Sequence, residues 1–206
     1  MANYFVTGIG TGIGKTLISA ILTEKLKADY WKPIQAGDLE TSDSLNVERL
    51  ITNTKTFIHP ERFKLNTPAS PHYAAKLDDI EIQLNDFNMP KTENNLIIEG
   101  AGGIMVPLNE KDLLLDLIIK LGAEIILISQ NYLGSINHTL LSVNILKQHD
   151  IKIRGIIFNG KENLETQRYI LQYTGCKFLG HIPNLKQVDK GNILSAGEYI
   201  DLNQFQ

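Results

Sequence analysis

Two stretches of this 206-residue chain hold residues whose types and order suit phosphate chemistry. The first is Thr7-Gly8-Ile9-Gly10-Thr11-Gly12-Ile13-Gly14-Lys15-Thr16. Glycines let successive backbone N–H groups converge on phosphate oxygens, and the N-terminus of a following helix adds positive potential. Lys15 is spaced to reach the β and γ phosphates, and Thr16 offers a hydroxyl to Mg²⁺. The commonest phosphate loop has a glycine where Ile9 stands; Gly8 lies one position further back, so this loop is longer by one residue. A dinucleotide fingerprint fails, because Gly8-x-Gly10 would need glycine at Ile13. The second stretch is Leu96-Ile97-Ile98-Glu99-Gly100-Ala101-Gly102-Gly103. A phosphate loop needs a second acidic contribution to the metal at the end of a neighbouring buried strand, and Glu99 is the candidate. An acid that simply ends a strand before a glycine turn is the competing reading. The glycines after Glu99, however, also let backbone approach a ligand closely.

The elements that must carry these residues alternate along the chain. Short β-rich runs precede longer amphipathic stretches: Tyr4 to Thr7 then Leu17 to Leu26, Leu96 to Ile98 then Leu113 to Leu121, Ile125 to Ser129 then Ile136 to Leu146. That order predicts an α/β fold of the P-loop NTPase kind, a single domain with a mostly parallel central sheet and helices on both faces. The runs at Leu96 to Ile98, Ile125 to Ile128 and Ile153 to Phe158 are apolar on both faces, as strands covered on two sides must be. The site is then expected at their carboxyl ends. Between Asp38 and Asn95 the prolines at 60, 68, 71 and 90 break the pattern, and one helix is expected near Ser44 to Thr52. After Leu185 the chain reads as loop plus a short helix.

Composition narrows the function. A net charge of −3 without a Lys/Arg-rich run argues against a nucleic-acid or anionic-membrane surface. The single cysteine, Cys176, and the absence of zinc-site spacing fit a reducing cytoplasm. No apolar run reaches the ~20 residues of a membrane span, and the opening residues lead into a strand pattern without a basic region, so neither secretion nor insertion is expected.

Several segments together resemble dethiobiotin synthetase, the family that closes the ureido ring in biotin synthesis at the expense of ATP. They are Phe5-Val6-Thr7-Gly8 leading into Gly14-Lys15-Thr16, Trp31-Lys32-Pro33-Ile34-Gln35-x-Gly37, Ser42-Asp43, Ala69-Ser70-Pro71-His72-x-Ala74, Glu99-Gly100-Ala101-Gly102-Gly103 and Gly134-Ser135-Ile136-Asn137-His138. The resemblance implies that 7,8-diaminononanoate takes up CO₂ as a carbamate, ATP phosphorylates it, and the second amine closes the ring. It makes Lys15, Lys32 and Thr11 catalytic and sets ATP against Gly12, Ile13, Gly14, Lys15, Thr16 and Leu17, with Asp43, Glu99, Gly100, Ala101 and Gly102. Mg²⁺ would be held by Thr16, Asp43 and Glu99, and the diamine would meet Thr11, Lys32 and Gly102.

The resemblance also implies that adenine lies at Asn159-Gly160 and Ile182-Pro183-Asn184, where an Asn amide has the donor and acceptor a purine edge needs. An Asn-Gly turn is the plainer alternative. Gly134, Ser135, Ile136 and Asn137 would bind the substrate carboxylate of the other subunit, which implies a homodimer with its active site at the interface. Taken alone, Lys32 reads as a solvated residue, Asp43 as a helix cap and His72 as structural. Replacing Lys15 or Lys32 is expected to leave folding intact. Ala36 and Gly12 depart from the pattern, where some members carry serine and glutamate. A nucleotide-switch ATPase that controls a protein partner is the alternative reading. It lacks the additional lysine early in the phosphate loop and a basic C-terminal helix, and a nucleotide kinase would need an arginine-rich lid.

Overall fold

The computed structural model describes residues 1–205. Seven parallel strands form one sheet in the order β4-β2-β6-β1-β7-β8-β9: β1 (Asn3–Gly8), β2 (Asp29–Trp31), β4 (Ile58–His59), β6 (Leu96–Gly103), β7 (Glu124–Gln130), β8 (Ile153–Asn159) and β9 (Phe178–Ile182). Alternate residues of the central strands feed two cores. Phe5, Ile98 and Leu127 pack on one face, while Tyr4, Val6, Ile97 and Ile126 pack on the other. The first core lies under α3 (Pro71–Leu77), α4 (Leu114–Leu121), α5 (Ser135–Gln148) and α6 (Leu164–Thr174). The second lies under α1 (Lys15–Leu26), α2 (Asp43–Leu50) and α7 (Lys190–Ala196). Strands buried on both sides explain why the runs at 96–98 and 125–128 carry no polar alternation.

The strand order reverses around β1, whose neighbours are β6 on one side and β7 on the other. Ligands of such sheets lie beyond the carboxyl ends of the strands at that reversal. The phosphate loop is there, between β1 and α1.

The proline-broken region holds more structure than its sequence pattern suggests. The expected helix runs from Asp43 to Leu50, ending before Ile51, whose backbone is extended. A second small parallel sheet joins β3 (Ile34–Ala36) to β5 (Phe63–Leu65), and α3 begins with Pro71 in its first turn. Proline suits that position, since its missing N–H has no partner there anyway and its φ is already helical. Gly37, at φ 74, fits against Pro68; an added Cβ would lie 2.6 Å from the Pro68 Cα. This contact closes one wall of the site.

Candidate active site

Phosphate-loop geometry follows from its glycines. Gly14 caps α1 at φ 90, a left-handed conformation that side chains resist, and a Cβ there would lie 2.2 Å from Asn159 Nδ2. A Cβ on Gly8 would meet the Ile13 side chain at 2.1 Å, so Ile13 turns into the protein and only its backbone is left for a ligand. Lys15 folds back over the loop and donates to the Gly10 carbonyl at 2.9 Å. Burial lowers its pKa to about 8 from 10.5, and the nearby Glu99 carboxylate opposes that shift.

Beside the loop a polar cluster fills the space between β2, β6 and α2. Lys32, which follows β2 and is only 4% exposed, lies 2.6 Å from Asp43 Oδ2 and 3.1 Å from Glu99 Oε1. Its Nζ also donates to the Gly100 carbonyl at 3.3 Å. The reading of an isolated Lys32 as solvated is therefore wrong: the strand end carries it inward. Thr16 donates its hydroxyl toward Asp43 Oδ1 at 2.8 Å and Glu99 Oε1 at 2.9 Å. Burial pulls the Lys32 pKa down, but Glu99 and Asp43 outweigh it and the net shift is upward. Burial likewise pushes Asp43 up, and Lys32 reverses the direction, leaving it below the usual carboxylate value.

Asp43 is not the helix cap. Ser42 caps α2, its Oγ accepting from Leu45 N at 3.3 Å, while Asp43 turns to the cluster with its backbone N–H donating to Gln35 Oε1. Tyr30 completes the surroundings of Glu99, donating from its hydroxyl to Oε2 at 2.9 Å. Burial first, then the Glu99 charge, holds that phenol well above its ordinary pKa. Sequence reasoning missed Tyr30 and gave Gln35, part of the motif that follows Lys32, no role. The signal for Tyr30 was its place two residues before Lys32, on the same side of β2.

Thr16, Asp43 and Glu99 present hydroxyl and carboxylate oxygens to one point, the hard donor set that Mg²⁺ takes. One or two carboxylates suffice for that ion when phosphates supply further oxygens. Among the described residues no three His, Cys, Asp or Glu side chains converge on a metal site. The donors thus fit a shared nucleotide–metal site rather than an all-protein cage.

These groups line a cavity of about 710 Å³ together with Thr11, Gly12, Gly14, Ala101 and Gly102. Thr11 faces Gly102, whose added Cβ would lie 3.6 Å from Thr11 Oγ1. Ile34, Ala36, Pro68, Pro71 and Val106 give the cavity apolar lining, and Ser70 and Asp38 also line it. Leu17 follows on α1 and is half-buried, and Gly100 is packed against Phe5 and Leu114.

Asn159, Gly160, Ile182, Pro183 and Asn184 come together at the ends of β8 and β9. Asn159 pairs with Ile182 in register, and Gly160 N donates to the Ile182 carbonyl at 2.8 Å. Asn159 Nδ2 donates to the Ile13 carbonyl at 2.8 Å, so its donor half holds the phosphate loop and its Oδ1 is left to accept. The Ile182 side chain is buried. Gly160, Pro183 and Asn184 line a cavity of about 460 Å³. Gly134, Ser135, Ile136 and Asn137 are not brought to Lys15. Gly134 caps α5 at φ 99, and Gly134 and Ile136 line a separate cavity of about 410 Å³.

Comparison with known proteins gives the fold and the family separately. Solved structures of the Pyrococcus furiosus cell division ATPase MinD (TM-score 0.58, 12% identity, covering 100% of each chain) and of a putative plasmid partition protein from Borrelia burgdorferi (TM-score 0.58, 14% identity, covering 98% of this chain and 92% of that one) share the fold. A family model described as an AAA domain matches residues 2–192. The ATP-dependent dethiobiotin synthetase BioD of Cytophaga hutchinsonii is 50% identical over 92% of both chains. That of Christiangramia forsetii is 53% identical over 87% of this chain and 86% of its own. With a phosphate loop, a buried Lys32 among acids and half the residues shared over nearly the full length, the chain belongs to the family of ATP-dependent dethiobiotin synthetases.

Proposed function

We propose that residues 1–206 act as one ATP-dependent ligase domain that joins CO₂ to 7,8-diaminononanoate and closes the ring of dethiobiotin, releasing ADP and phosphate. The observation that carries this reading is the buried Lys32 beside Thr16, Asp43 and Glu99, at one end of a cavity whose other side is apolar. A neutral substrate amine attacks CO₂ to give a carbamate. One carbamate oxygen attacks the γ phosphorus of ATP. The second amine then attacks the carbamate carbon, and phosphate leaves with that oxygen.

Each of these steps gathers negative charge that fixed cations stabilise in a site shielded from water. Lys15 holds the phosphates of ATP, Lys32 faces the carbamate and the transferring phosphoryl group, and Thr11 with the Gly102 backbone orients the carbamate. Magnesium, held by Thr16, Asp43 and Glu99, would supply charge neutralisation to the β and γ phosphates. Adenine fits against Asn159 Oδ1 and the cavity lined by Gly160, Pro183 and Asn184, and the apolar wall accepts the alkyl chain.

The carboxylate of the diamine needs hydrogen-bond donors at the far end of its alkyl chain. The start of α5 supplies N–H groups at Gly134, Ile136 and Asn137, while that of Ser135 is held by the Tyr132 carbonyl, and it serves the site of a second subunit in a homodimer. Among the described residues no helix is long and apolar enough to cross a membrane, and we place the enzyme in the cytoplasm, acting on small molecules rather than nucleic acid.

Phosphate release from ATP tests the reading. It should require diaminononanoate and bicarbonate together. Hydrolysis independent of the diamine, or stimulated only by a protein partner, would return the chain to the nucleotide-switch reading.

A further inference from the structure

Forming the carbamate releases a proton from the substrate amine, and the cluster described above has no group free to take it. Lys15 and Lys32 are cations, and the acids around Lys32 are ion-paired to it. Gln35 has both ends of its amide engaged, with Gly37 O and Asp43 N. Ser70 is differently placed. It lines the same cavity as Lys15 and Lys32 and stands at the cap position of α3, yet its side chain makes no capping bond. Its Oγ lies 3.0 Å from His72 Nδ1 instead. His72 in turn lines a second cavity of about 950 Å³, together with Ala75 and Lys76 of α3. Serine at a helix start normally caps it; here the hydroxyl joins the substrate cavity to an imidazole with its own opening.

We propose that Ser70 and His72 form a proton relay from the substrate amine to the second cavity. This rests on the ring-closing reading above. His72 starts neutral with its proton on Nε2, so Ser70 donates to Nδ1 and its oxygen is left to accept from the amine. As the amine nitrogen bonds to the CO₂ carbon, one C=O electron pair moves onto oxygen. The nitrogen's proton passes to Ser70 Oγ while the serine proton passes to His72 Nδ1. The products are a carbamate and an imidazolium, which loses a proton to water in the second cavity. The charged groups that line the second cavity with His72 are Lys76 and Asp79 from α3 and its end, Glu81, and Glu110, Lys111 and Asp112 from the loop before α4.

The test uses the full-length protein and dethiobiotin formation from diaminononanoate, bicarbonate and ATP. Wild-type protein that makes no dethiobiotin would overturn the ring-closing reading before any variant is made. With an active wild type, Ser70→Ala and His72→Asn should each lower kcat at neutral pH by about 10², with KM for ATP unchanged and melting temperatures near wild type. His72→Asn keeps a polar atom for Ser70 but cannot take up a proton. A wild-type kcat in that variant would therefore overturn the relay, as would a rise confined to KM for the diamine. Ser70→Thr retains the hydroxyl and should exceed Ser70→Ala by about tenfold or more; equal loss in both would contradict the proposal. Imidazole should restore part of the turnover of His72→Ala through the second cavity, and no restoration counts against it.

Discussion

Two buried carboxylates at opposite ends of the same two strands are satisfied in different ways. Asp29 begins β2 and pairs in register with Leu96 at the start of β6; Glu99 lies on β6 three residues later, toward the carboxyl end. Asp29 accepts from Phe57 N at 2.9 Å, Thr92 Oγ1 at 2.5 Å and Asn94 Nδ2 at 2.9 Å, with His59 Nε2 at 3.3 Å. Its partners are largely neutral groups from the two loops that it ties to the sheet. Burial raises its pKa, but those hydrogen bonds, led by Asn94 and Thr92, more than reverse the effect. Glu99 instead accepts from Lys32, Thr16 and Tyr30, groups that carry charge or sit beside the phosphate loop. Asp29 closes its bonds within the fold. Glu99 shares its oxygens with groups that a nucleotide and a metal ion can engage, which is what a site requires and a clasp does not.

The largest contrast should appear when a partner or the acid itself is removed. Lys32→Ala is expected to reduce turnover by about 10² or more. It should also destabilise the protein by about 3–5 kcal/mol, because Glu99 is left buried without its cation. The sequence reading expects folding to be indifferent to Lys32, and the denaturation midpoint decides between the two. Asp29→Asn should do the reverse, lowering the melting temperature while the folded enzyme keeps nearly its wild-type kcat. Chemical denaturation and steady-state assays on both variants check the pair. Equal loss of kcat in Asp29→Asn at a temperature where it is folded would break the comparison.

A smaller effect should follow pH. The folded-state pKa of Asp29 lies below 3.8, so its hydrogen bonds contribute stability above that ordinary value and lose it as pH falls through the lower folded value. The stability gap between wild type and Asp29→Asn should therefore narrow as acid is added below about pH 4. Lys15 behaves oppositely. Between its folded pKa of about 8 and the ordinary 10.5 the unfolded chain binds more protons, so its cost to stability fades as pH rises. Lys15→Met should be inactive yet melt higher than wild type at neutral pH, with the advantage shrinking across that window. Melting at or below the wild-type temperature at neutral pH would mean that the lost hydrogen bond to the Gly10 carbonyl outweighs the relief of buried charge.

Much of this was legible in the sequence because it lies in local pattern. Doubly apolar strands, the glycine loop and the acid ending β6 each announce themselves over a few residues. The region from 38 to 95 did not, because its short strands pair with distant partners: β5 joins β3, and β4 lies beside β2. Such pairings leave no periodicity in three residues or fewer. α3 could have been found from Ser70-Pro71 followed by alanines, a helix start by proline placement. Lys32 and Asp43 illustrate a different gap. Their residue types permit solvated, capping or site roles, and only the approach of β2, β6 and α2 brings Lys32 to 2.6 Å from Asp43. Asn159 was read as a base contact or a turn residue; that its amide holds the Ile13 carbonyl depends on a 2.8 Å bond across 146 positions.

The most direct measurement of the central claim follows oxygen. With bicarbonate labelled with ¹⁸O, ATP and diaminononanoate, the account predicts one labelled oxygen from CO₂ in the released phosphate and the other in the ureido carbonyl of dethiobiotin. A phosphate carrying oxygen from water alone would mean that ATP is hydrolysed apart from the carbamate, and the assignment of Lys15 and Lys32 to a phosphorylated carbamate would be contradicted.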